Sequence, residues 1–160
     1  DLPPVRFTTD VPITTAQDMY DAVTSRFEEM DVLVMAAAVA DYRPVTVASD
    51  KIKKKDGDLS IPVERTADIL GTIGPRKTKQ FLCGFSMETR DMVENSAAKL
   101  KKKNLDMVVA NNLKVSGAGF GVDTNVVTFI TPDGTRELPL MSKADVADAI
   151  LDEILKRRGH

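Results

Sequence analysis

The stretch DVLVMAA at residues 31–37 decides the fold class of this chain. It is a continuous apolar run of strand length, which is typical of a parallel strand that is covered on both faces. The same pattern returns at residues 81–85 (FLCGF) and 105–110 (LDMVVA), with an amphipathic, helix-like stretch at residues 90–103 between them. Strands that alternate with helices predict βαβ units. We therefore expect an α/β fold with a Rossmann-like, mainly parallel sheet flanked by helices.

Two segments have the spacing of a helix start. Residues 15–18 (TAQD) and 142–145 (SKAD) both have the pattern of a capping box, in which the first and fourth residues cap each other. Each pattern is followed by apolar residues at helical spacing. The buried stripes that we predict are Met19, Val23 and Phe27 for the first helix and Val146, Ile150 and Ile154 for the last.

Shorter strands are predicted outside the parallel core. Residues 5–11 have the pattern of a short strand, and residues 59–63 that of a hairpin strand. Residues 126–130 and 137–140 are predicted to form a hairpin around the turn sequence TPDG at residues 131–134. With 160 residues and no convincing linker, we expect one domain over residues 1–160.

The composition is that of an ordinary soluble protein. Hydrophobic residues make up 42% and charged residues 29%, and the net charge of -2 gives no overall attraction to nucleic acid or to anionic membranes. No apolar stretch approaches the roughly 18 residues that span a bilayer. The single cysteine, Cys83, cannot form an internal disulfide and is predicted to be a small core residue. We expect a cytoplasmic protein with neither nucleic acid nor membrane as a partner.

Small residues and an acid follow the first buried strand. Residues 36–43 are AAAVADYR, and ligands of open α/β sheets bind beyond the carboxyl ends of the strands. Asp41 could accept hydrogen bonds from a base or a ribose. A tight turn capped by Asp41 is the alternative.

A lysine-rich segment follows. Residues 51–55 (KIKKK) precede a polar turn, and residues 51–58 together have the pattern of an exposed hairpin arm. Its lysines could close over phosphates as point charges. A merely solvated surface is the alternative.

Two further segments could bind anions. Residues 66–71 (TADILG) are predicted to enter a short helix with Thr66 as its cap, where backbone N–H groups attract anions and Asp68 could hold a divalent ion. Lys99 and Lys103 lie four residues apart, on one face of the helix predicted at residues 90–103. A plain capped helix and a solvated helix end are the respective alternatives.

Several catalytic motifs are absent from the sequence. It contains no GxGxxG, no GxxxxGK[ST] and no HExxH, and its one histidine is His160. A histidine-based triad or metal cluster within this sequence is therefore excluded.

Four segments together resemble a known family. They are AAAVADYRP at residues 36–44, KIKK at residues 51–54, GFSMET at residues 84–89 and KNLDMVVAN at residues 103–111. In this order and spacing they resemble the synthetase half of the bacterial bifunctional phosphopantothenoylcysteine decarboxylase/synthetase family.

The resemblance implies a ligase that uses CTP, with Mg²⁺, to join 4′-phosphopantothenate to cysteine through an acyl-cytidylate in coenzyme A synthesis. It also implies a homodimer in which the arm near residues 41–51 contributes to the partner subunit. FMN belongs to the decarboxylase half, which is absent here. The positions that match the family's site residues are Ala36, Ala37, Asp41, Lys51, Ala67, Asp68, Ile69, Leu70, Phe85, Lys99 and Lys103.

The family likeness also implies a role for each group of residues. Ala37 and Asp41 match the turn that contacts cytidine, and residues 67–70 match the backbone site near the nucleotide phosphates. Phe85 matches an aromatic residue of the nucleotide pocket. Lys99 and Lys103 match lysines that contact CTP. Lys51 matches the lysine needed for turnover.

The chain departs from the family pattern at two places. Ser86 and Met87 stand where the family has small residues after Gly-Phe. The family's first strand and its Gly/Ser-rich loop, which carries a catalytic asparagine, have no match here. We therefore expect a fragment of the synthetase domain that catalyses no ligation alone. A nicotinamide-dinucleotide oxidoreductase and a non-catalytic nucleotide-binding module are the two rival functions.

Overall fold

The computed structural model of the chain describes residues 5–53, 57, 59–88, 91–112 and 121–159. Backbone contacts divide the chain into two compact units, one of Asp1–Phe27 with Ala38–Ile69 and one of Glu28–Ala37 with Leu70–His160. The helices are α1 (Ala16–Arg26), α2 (Ile69–Ile73), α3 (Met92–Lys102) and α4 (Lys143–Arg158), with 3₁₀ turns at Phe27–Glu29 and Gly74–Arg76. The strands are β1 (Val32–Met35), β2 (Tyr42–Pro44), β3 (Val63–Arg65), β4 (Phe81–Glu88), β5 (Met107–Asn112), β6 (Thr124–Asn125), β7 (Val127–Thr131), β8 (Gly134–Glu137) and β9 (Met141–Ser142).

The larger unit is built on a mixed sheet with the strand order β1-β4-β5-β7-β8. Strands β1, β4 and β5 are parallel, and α3 connects β4 to β5 as the crossover of a βαβ unit. Strand β7 pairs antiparallel with β5, and β8 returns beside β7 as a hairpin. The predicted α/β fold class is therefore confirmed.

One face of this sheet holds the main hydrophobic core, under α4. The predicted stripe of Val146, Ile150 and Ile154 is buried there. Helix α4 begins as predicted, since the Ser142 side chain accepts a hydrogen bond from Asp145 N at 3.0 Å. The strand residues of this core include Phe81, Cys83, Met107, Val109, Val127 and Phe129. Cys83 is fully buried, as expected of a core residue.

The opposite face of the sheet lies against α3. Leu82, Val108 and Ile130 alternate along their strands with the residues that face α4, and all three are buried. Leu100 of α3 is buried as well. The helix predicted at residues 90–103 is thus confirmed in its type and position.

Strand β1 is less covered than its sequence predicts. It is the edge strand of the sheet, and Val34 is 37% exposed although it shares a face with the buried Cys83. The prediction that this apolar run is covered on both faces is therefore wrong for β1. A strand at a sheet edge has a neighbour on one side only, so fewer side chains shield it.

The smaller unit contains α1 and the hairpin of β2 with β3. Thr15 and Asp18 form the predicted capping box, with Asp18 Oδ2 accepting from Thr15 N at 2.8 Å. In α1 itself no residue is fully buried, so Met19 and Val23 of the predicted stripe are half-buried, whereas Phe27, just beyond the helix, is buried. The hairpin confirms the extra β arm in the fold-class prediction.

Residues 5–11 do not form the predicted strand. The side chains of Val5, Phe7 and Val11 are exposed, and Phe7 has a φ of 64°, which interrupts an extended chain. Thr8 Oγ1 also bonds back to Val5 O at 2.7 Å. No strand of the described residues pairs with this segment, so its apolar alternation alone does not produce a strand.

Two other strand boundaries differ from the sequence prediction. Strand β3 begins at Val63, where the predicted strand of residues 59–63 ends. Strand β8 occupies Gly134–Glu137 rather than residues 137–140 because the ladder closes directly at the turn, with Thr131 paired to Gly134. Gly134 has a φ of 143°, a value that its lack of a Cβ permits.

Within residues 5–53, 57, 59–88, 91–112 and 121–159, none of the helices is both long and apolar enough to cross a membrane.

Candidate functional site

In open α/β sheets, ligands bind at the carboxyl edge of the parallel strands. In the larger unit, β1, β4 and β5 end at this edge with Met35, Glu88 and Asn112. Ala36 and Ala37 follow β1 directly and are both exposed. Because their side chains are single methyl groups, a flat group can approach the backbone here closely.

Phe85 lies on the α4 face of the sheet near this edge. It is half-buried and packs against the core cluster that contains Cys83 and Val109. Its register partner in β5 is Val109. The ring is thus held from one side by the core and remains partly open to solvent.

Lys99 lies on the other face of the sheet, on α3. Its Nζ is 3.5 Å from Glu88 Oε1, at the last residue of β4. Asn95 Nδ2 donates to Glu88 Oε2 at 3.5 Å. Lys99 is half-buried, whereas Lys101 and Lys102 are exposed, as the helical spacing predicts. The cation of Lys99 is therefore held at the carboxyl edge by a carboxylate.

A buried hydroxyl pair fixes α3 against β4. Ser86 Oγ and Ser96 Oγ are 2.7 Å apart, and both residues are at least nine-tenths buried. A hydroxyl pair satisfies both polar groups without a charge. This contact fixes the helical turn next to Asn95 and Lys99 relative to the end of β4.

Lys103 lies one helical turn beyond Lys99, at the end of α3. Its backbone N–H donates to Lys99 O at the end of the helix, and its carbonyl oxygen lies so close to Gly74 that no Cβ would fit there. This end of α3 leads to the amino end of β5. The backbone of Lys103 is therefore placed further from the carboxyl edge than that of Lys99.

In the smaller unit, two predicted segments lie side by side. Thr66 N donates to Asp41 O at 3.0 Å, which continues the ladder of β2 with β3 by one residue. Thr66 Oγ1 also donates to Ala40 O at 2.5 Å. Asp41 is exposed. The predicted cytidine turn thus adjoins the predicted phosphate segment that starts at Ala67.

Thr66 is not the helix cap that its sequence predicts. Helix α2 begins at Ile69, so Asp68 occupies the position before its first residue, while the Thr66 hydroxyl bonds to Ala40. Thr66 extends the ladder of β2 with β3 by one residue, so its backbone is extended and the helix begins three residues later. Ala67 and Asp68 are exposed, Ile69 is buried and Leu70 is half-buried.

Lys51 is exposed and lies in the long loop between β2 and β3. Arg43 Nε bonds to Glu64 Oε1 at 2.9 Å, and Arg65 lies over the Tyr42 ring at 5.9 Å, so cross-strand pairs stabilise the base of the arm. Residues 54–56 and 58 of the predicted lysine flap lie outside the described residues. Lys51, Ile52 and Lys53 are in irregular backbone.

The predicted site residues thus form two groups, one in each compact unit. Asp41, Lys51, Ala67, Asp68 and Ile69 belong to the smaller unit. The residues of the larger unit are Ala36, Ala37, Leu70, Phe85, Lys99 and Lys103. Within the larger unit, Phe85 and Lys99 lie on opposite faces of the sheet.

The sequence prediction missed several polar residues at the carboxyl edge. Glu88 and Asn95 contact Lys99 or each other, and Asn111 receives a hydrogen bond from Asn125. A usable signal was present, since Glu88 and Asn111 follow buried apolar runs, as polar residues at the end of a parallel strand do. The partners themselves depend on strand register, which the sequence alone does not provide.

Among the residues that the structure describes, neither a metal cage nor a reactive thiol accompanies these side chains. In the described part of the chain, His, Cys, Asp and Glu side chains form no group of three or more that could hold a metal ion. Burial raises the pKa of the Cys83 thiol to about 12, and the charge of Asp106 adds to the effect. Cys83 therefore stays protonated at neutral pH and is a poor nucleophile.

The sequence and the fold of the chain match one family. The chain belongs to the family described as "DNA/pantothenate metabolism flavoprotein C-terminal domain", whose sequence model matches residues 1–157. The family resemblance found from the four segments is thus confirmed.

Two curated relatives cover most of the chain. "Coenzyme A biosynthesis bifunctional protein CoaBC" of Bacillus subtilis (strain 168) is 48% identical over 145 residues, which are 90% of this chain and 36% of that protein. A protein of an unknown prokaryotic organism, named "Cysteine/Cysteine sulfinic acid decarboxylase", is 42% identical over 147 residues, 91% of this chain and 41% of its own length. The chain therefore spans well under half the length of these relatives.

A solved structure has the same fold. It is described as "Crystal structure of the C-terminal Domain of Coenzyme A biosynthesis bifunctional protein CoaBC" and matches with a TM-score of 0.78 and 43% identity. The match covers 98% of this chain and 71% of that chain.

Proposed function

We propose that this protein is a phosphopantothenate–cysteine ligase that uses CTP in coenzyme A synthesis. Membership of the family and the name of the Bacillus subtilis relative support the pathway. The observation that most supports a nucleotide site is the bond between Asp41 O and Thr66 N, because it joins the predicted cytidine turn to the predicted phosphate segment.

The reaction proceeds in two balanced steps. A carboxylate oxygen of 4′-phosphopantothenate attacks the α-phosphorus of CTP, the bond to the bridging oxygen breaks, and pyrophosphate leaves. The cysteine amine then attacks the acyl carbon of the acyl-cytidylate, CMP leaves, and the amine loses a proton to solvent. Both steps develop negative charge on phosphate oxygens, so they need fixed positive groups more than an acid–base histidine.

The family resemblance supplies a role for each residue in this chemistry. Asp41 accepts hydrogen bonds from the cytidine, and the Phe85 ring packs against the nucleotide. Lys99, held at the carboxyl edge by Glu88, and Lys103 contact the CTP. Lys51, on an exposed loop, approaches the reacting phosphates and stabilises the charge that develops there.

Mg²⁺ accompanies the triphosphate in this proposal. Proteins usually hold Mg²⁺ with one or two carboxylates together with substrate phosphates. Asp68 offers one carboxylate, and the described residues contain no larger acidic cluster, so the ion would arrive with the nucleotide. Its chemistry is to neutralise phosphate charge.

We further propose that the protein acts as a cytoplasmic homodimer through its hairpin arm. The arm exposes Tyr42, Val45, Ile61 and Val63 by more than half of their surfaces. Clustered apolar side chains of this kind are typical of protein interfaces. A second copy of the chain is the partner that the family resemblance implies.

A thermal-shift panel with CTP, ATP, UTP and NAD tests the nucleotide class. A ligand that binds only the native state stabilises it by an amount that grows with the logarithm of its concentration above Kd, so the true ligand raises the Tm. Stabilisation by CTP alone is the expected result. Stabilisation by NAD would indicate the rival oxidoreductase, and no response to any nucleotide would contradict the proposed function.

A further inference from the structure

Two asparagines form a fixed hydrogen-bond chain at the carboxyl edge of the larger unit. Asn111 is in β5, and Asn125 is the last residue of β6. Val126 N donates to Asn125 Oδ1 at 2.9 Å, and Asn125 Nδ2 donates to Asn111 Oδ1 at 2.8 Å. The function predicted from the sequence uses neither residue.

The donor-to-acceptor direction of this hydrogen-bond chain determines how the Asn111 side-chain amide is oriented. A backbone N–H can only donate, so it requires the oxygen of Asn125. The nitrogen of Asn125 is then the atom that faces Asn111, and it requires the oxygen of Asn111. Among the described residues, Asn111 Nδ2 donates to no acceptor. Asn111 is half-buried, so it presents an oriented pair of N–H groups.

These donors lie on the same face of the sheet as Phe85. Asn111 pairs in register with Met87, and Val109, two residues earlier in β5, pairs with Phe85. Neighbouring strands are about 4.8 Å apart and two residues of a strand span about 6.6 Å, so the Cα atoms of Phe85 and Asn111 are about 8 Å apart. A planar base that packs against the Phe85 ring can reach the Asn111 amide.

We propose that Asn111 is the residue that selects cytosine, by donating from Nδ2 to N3 of the base. This inference rests on the proposed function. Cytosine carries a lone pair on N3, whereas uracil, of the same size and shape, carries a hydrogen there. An oriented donor in the site forms a hydrogen bond with N3 of cytosine. With uracil the same donor faces the N3–H group, and two donors that face each other without water reduce the binding free energy.

Two substitutions replace the N–H donor that Asn111 presents to the base with an oxygen acceptor, each in a different way. Asn111→Asp keeps an oxygen for Asn125 Nδ2 and replaces the free amide group with an acceptor of nearly the same shape. Asn125→Asp still accepts from Val126 N but turns an oxygen toward Asn111. The amide of Asn111 must then rotate to donate to Asp, which presents its own oxygen to the ligand. This second variant changes the polarity of the site without changing the residue that touches the base.

The test is calorimetric titration of the purified protein, wild type and both variants, with CTP and with UTP. The readout is the ratio of the two affinities, because an added negative charge weakens both nucleotides alike. We expect the wild type to prefer CTP, and the preference to fall about tenfold or more in Asn111→Asp and in Asn125→Asp. Ala98→Asp, which adds the same charge at an exposed position of α3, should keep the wild-type ratio.

An unchanged ratio in both variants with an unchanged Tm would overturn the inference and leave the proposed function standing. An equal fall in Ala98→Asp would also overturn it, since charge rather than donor polarity would then be responsible. A wild-type protein that binds neither nucleotide would contradict the proposed function itself. If Asn111→Asp is unfolded, the Asn125→Asp ratio decides alone.

Discussion

Lys99 Nζ lies 3.5 Å from Glu88 Oε1, so that the last residue of β4 holds a cation of α3 at the carboxyl edge of the sheet. Both side chains are about one-third exposed or less. An exposed ion pair contributes little to stability, but it can keep a long side chain near one position. In the proposed function, this ion pair keeps the flexible side chain of Lys99 near the edge at which CTP would bind.

The first prediction concerns this lysine. Lys99→Met should weaken CTP binding by about tenfold or more, because a charge-assisted contact to the nucleotide is lost. Lys101→Met is the matched control, since Lys101 is exposed on the same helix and should bind CTP as the wild type does. Titration calorimetry at low salt measures both. Equal affinities in the two variants would contradict a role for Lys99.

Asp41→Asn should weaken CTP binding more than it changes stability. The carboxylate is exposed beside the Thr66 contact, and the backbone bond from Thr66 N does not depend on the side chain. Loss of one charged hydrogen bond should cost about 1.5 to 3 kcal/mol of binding free energy. Asp10→Asn, another exposed acid of the same unit, serves as the control. The contrary result is an unchanged CTP affinity.

In the protein at its natural length, Lys51→Ala should fold normally and lower turnover by about a hundredfold or more, because a group that stabilises developing charge is removed. Its exposure predicts no loss of stability. Lys53→Ala, two residues further along the same loop, is the matched control. The measurement is the steady-state rate of CMP release, with the Tm of each variant recorded. Wild-type rates in Lys51→Ala would rule out this role.

The buried thiol predicts a pH-dependent stability at high pH. The folded pKa of Cys83 is about 12 against an ordinary value of 9.0, so the unfolded chain releases this proton first. Stability is then fully present below about pH 9 and falls with a slope of about 1.4 kcal/mol per pH unit as pH rises toward 12. Denaturant unfolding at pH 8.5 and 10.5 measures it.

Cys83→Ala is the control for this effect, because all other titrating groups remain. Between the two pH values the wild type should lose about 2 kcal/mol more than the variant. Parallel losses in both proteins would mean that the thiol proton is not retained on folding.

The sequence predicted those elements whose signal is local. Apolar runs and capping patterns located β4, β5, α3 and α4 because periodicity and caps depend on neighbouring residues. Residues 5–11 had a strand pattern but no strand to pair with. Thr66 had a cap pattern, but its hydroxyl donates to Ala40 O, 26 residues away, instead of capping a helix. Long-range pairing decided both outcomes.

The sequence predicted where in the fold the candidate site residues lie, but not which side chains they contact. Ala36 and Ala37 follow the apolar run of β1, and their place at the carboxyl edge follows from the βαβ pattern. The contacts of Lys99 with Glu88 and of Asn125 with Asn111 depend on register and on helix rotation. Neither quantity follows from composition or spacing, so these residues were missed.

The central claim, CTP-dependent ligation, is tested most directly by product stoichiometry. The protein carrying these 160 residues, at its natural length, is incubated with Mg²⁺, CTP and 4′-phosphopantothenate, and cysteine is then added. We predict pyrophosphate release that requires phosphopantothenate, followed by one CMP and one phosphopantothenoylcysteine per pyrophosphate after cysteine is added. Condensation that proceeds without consuming CTP, or CTP cleavage that is independent of phosphopantothenate, would contradict the account.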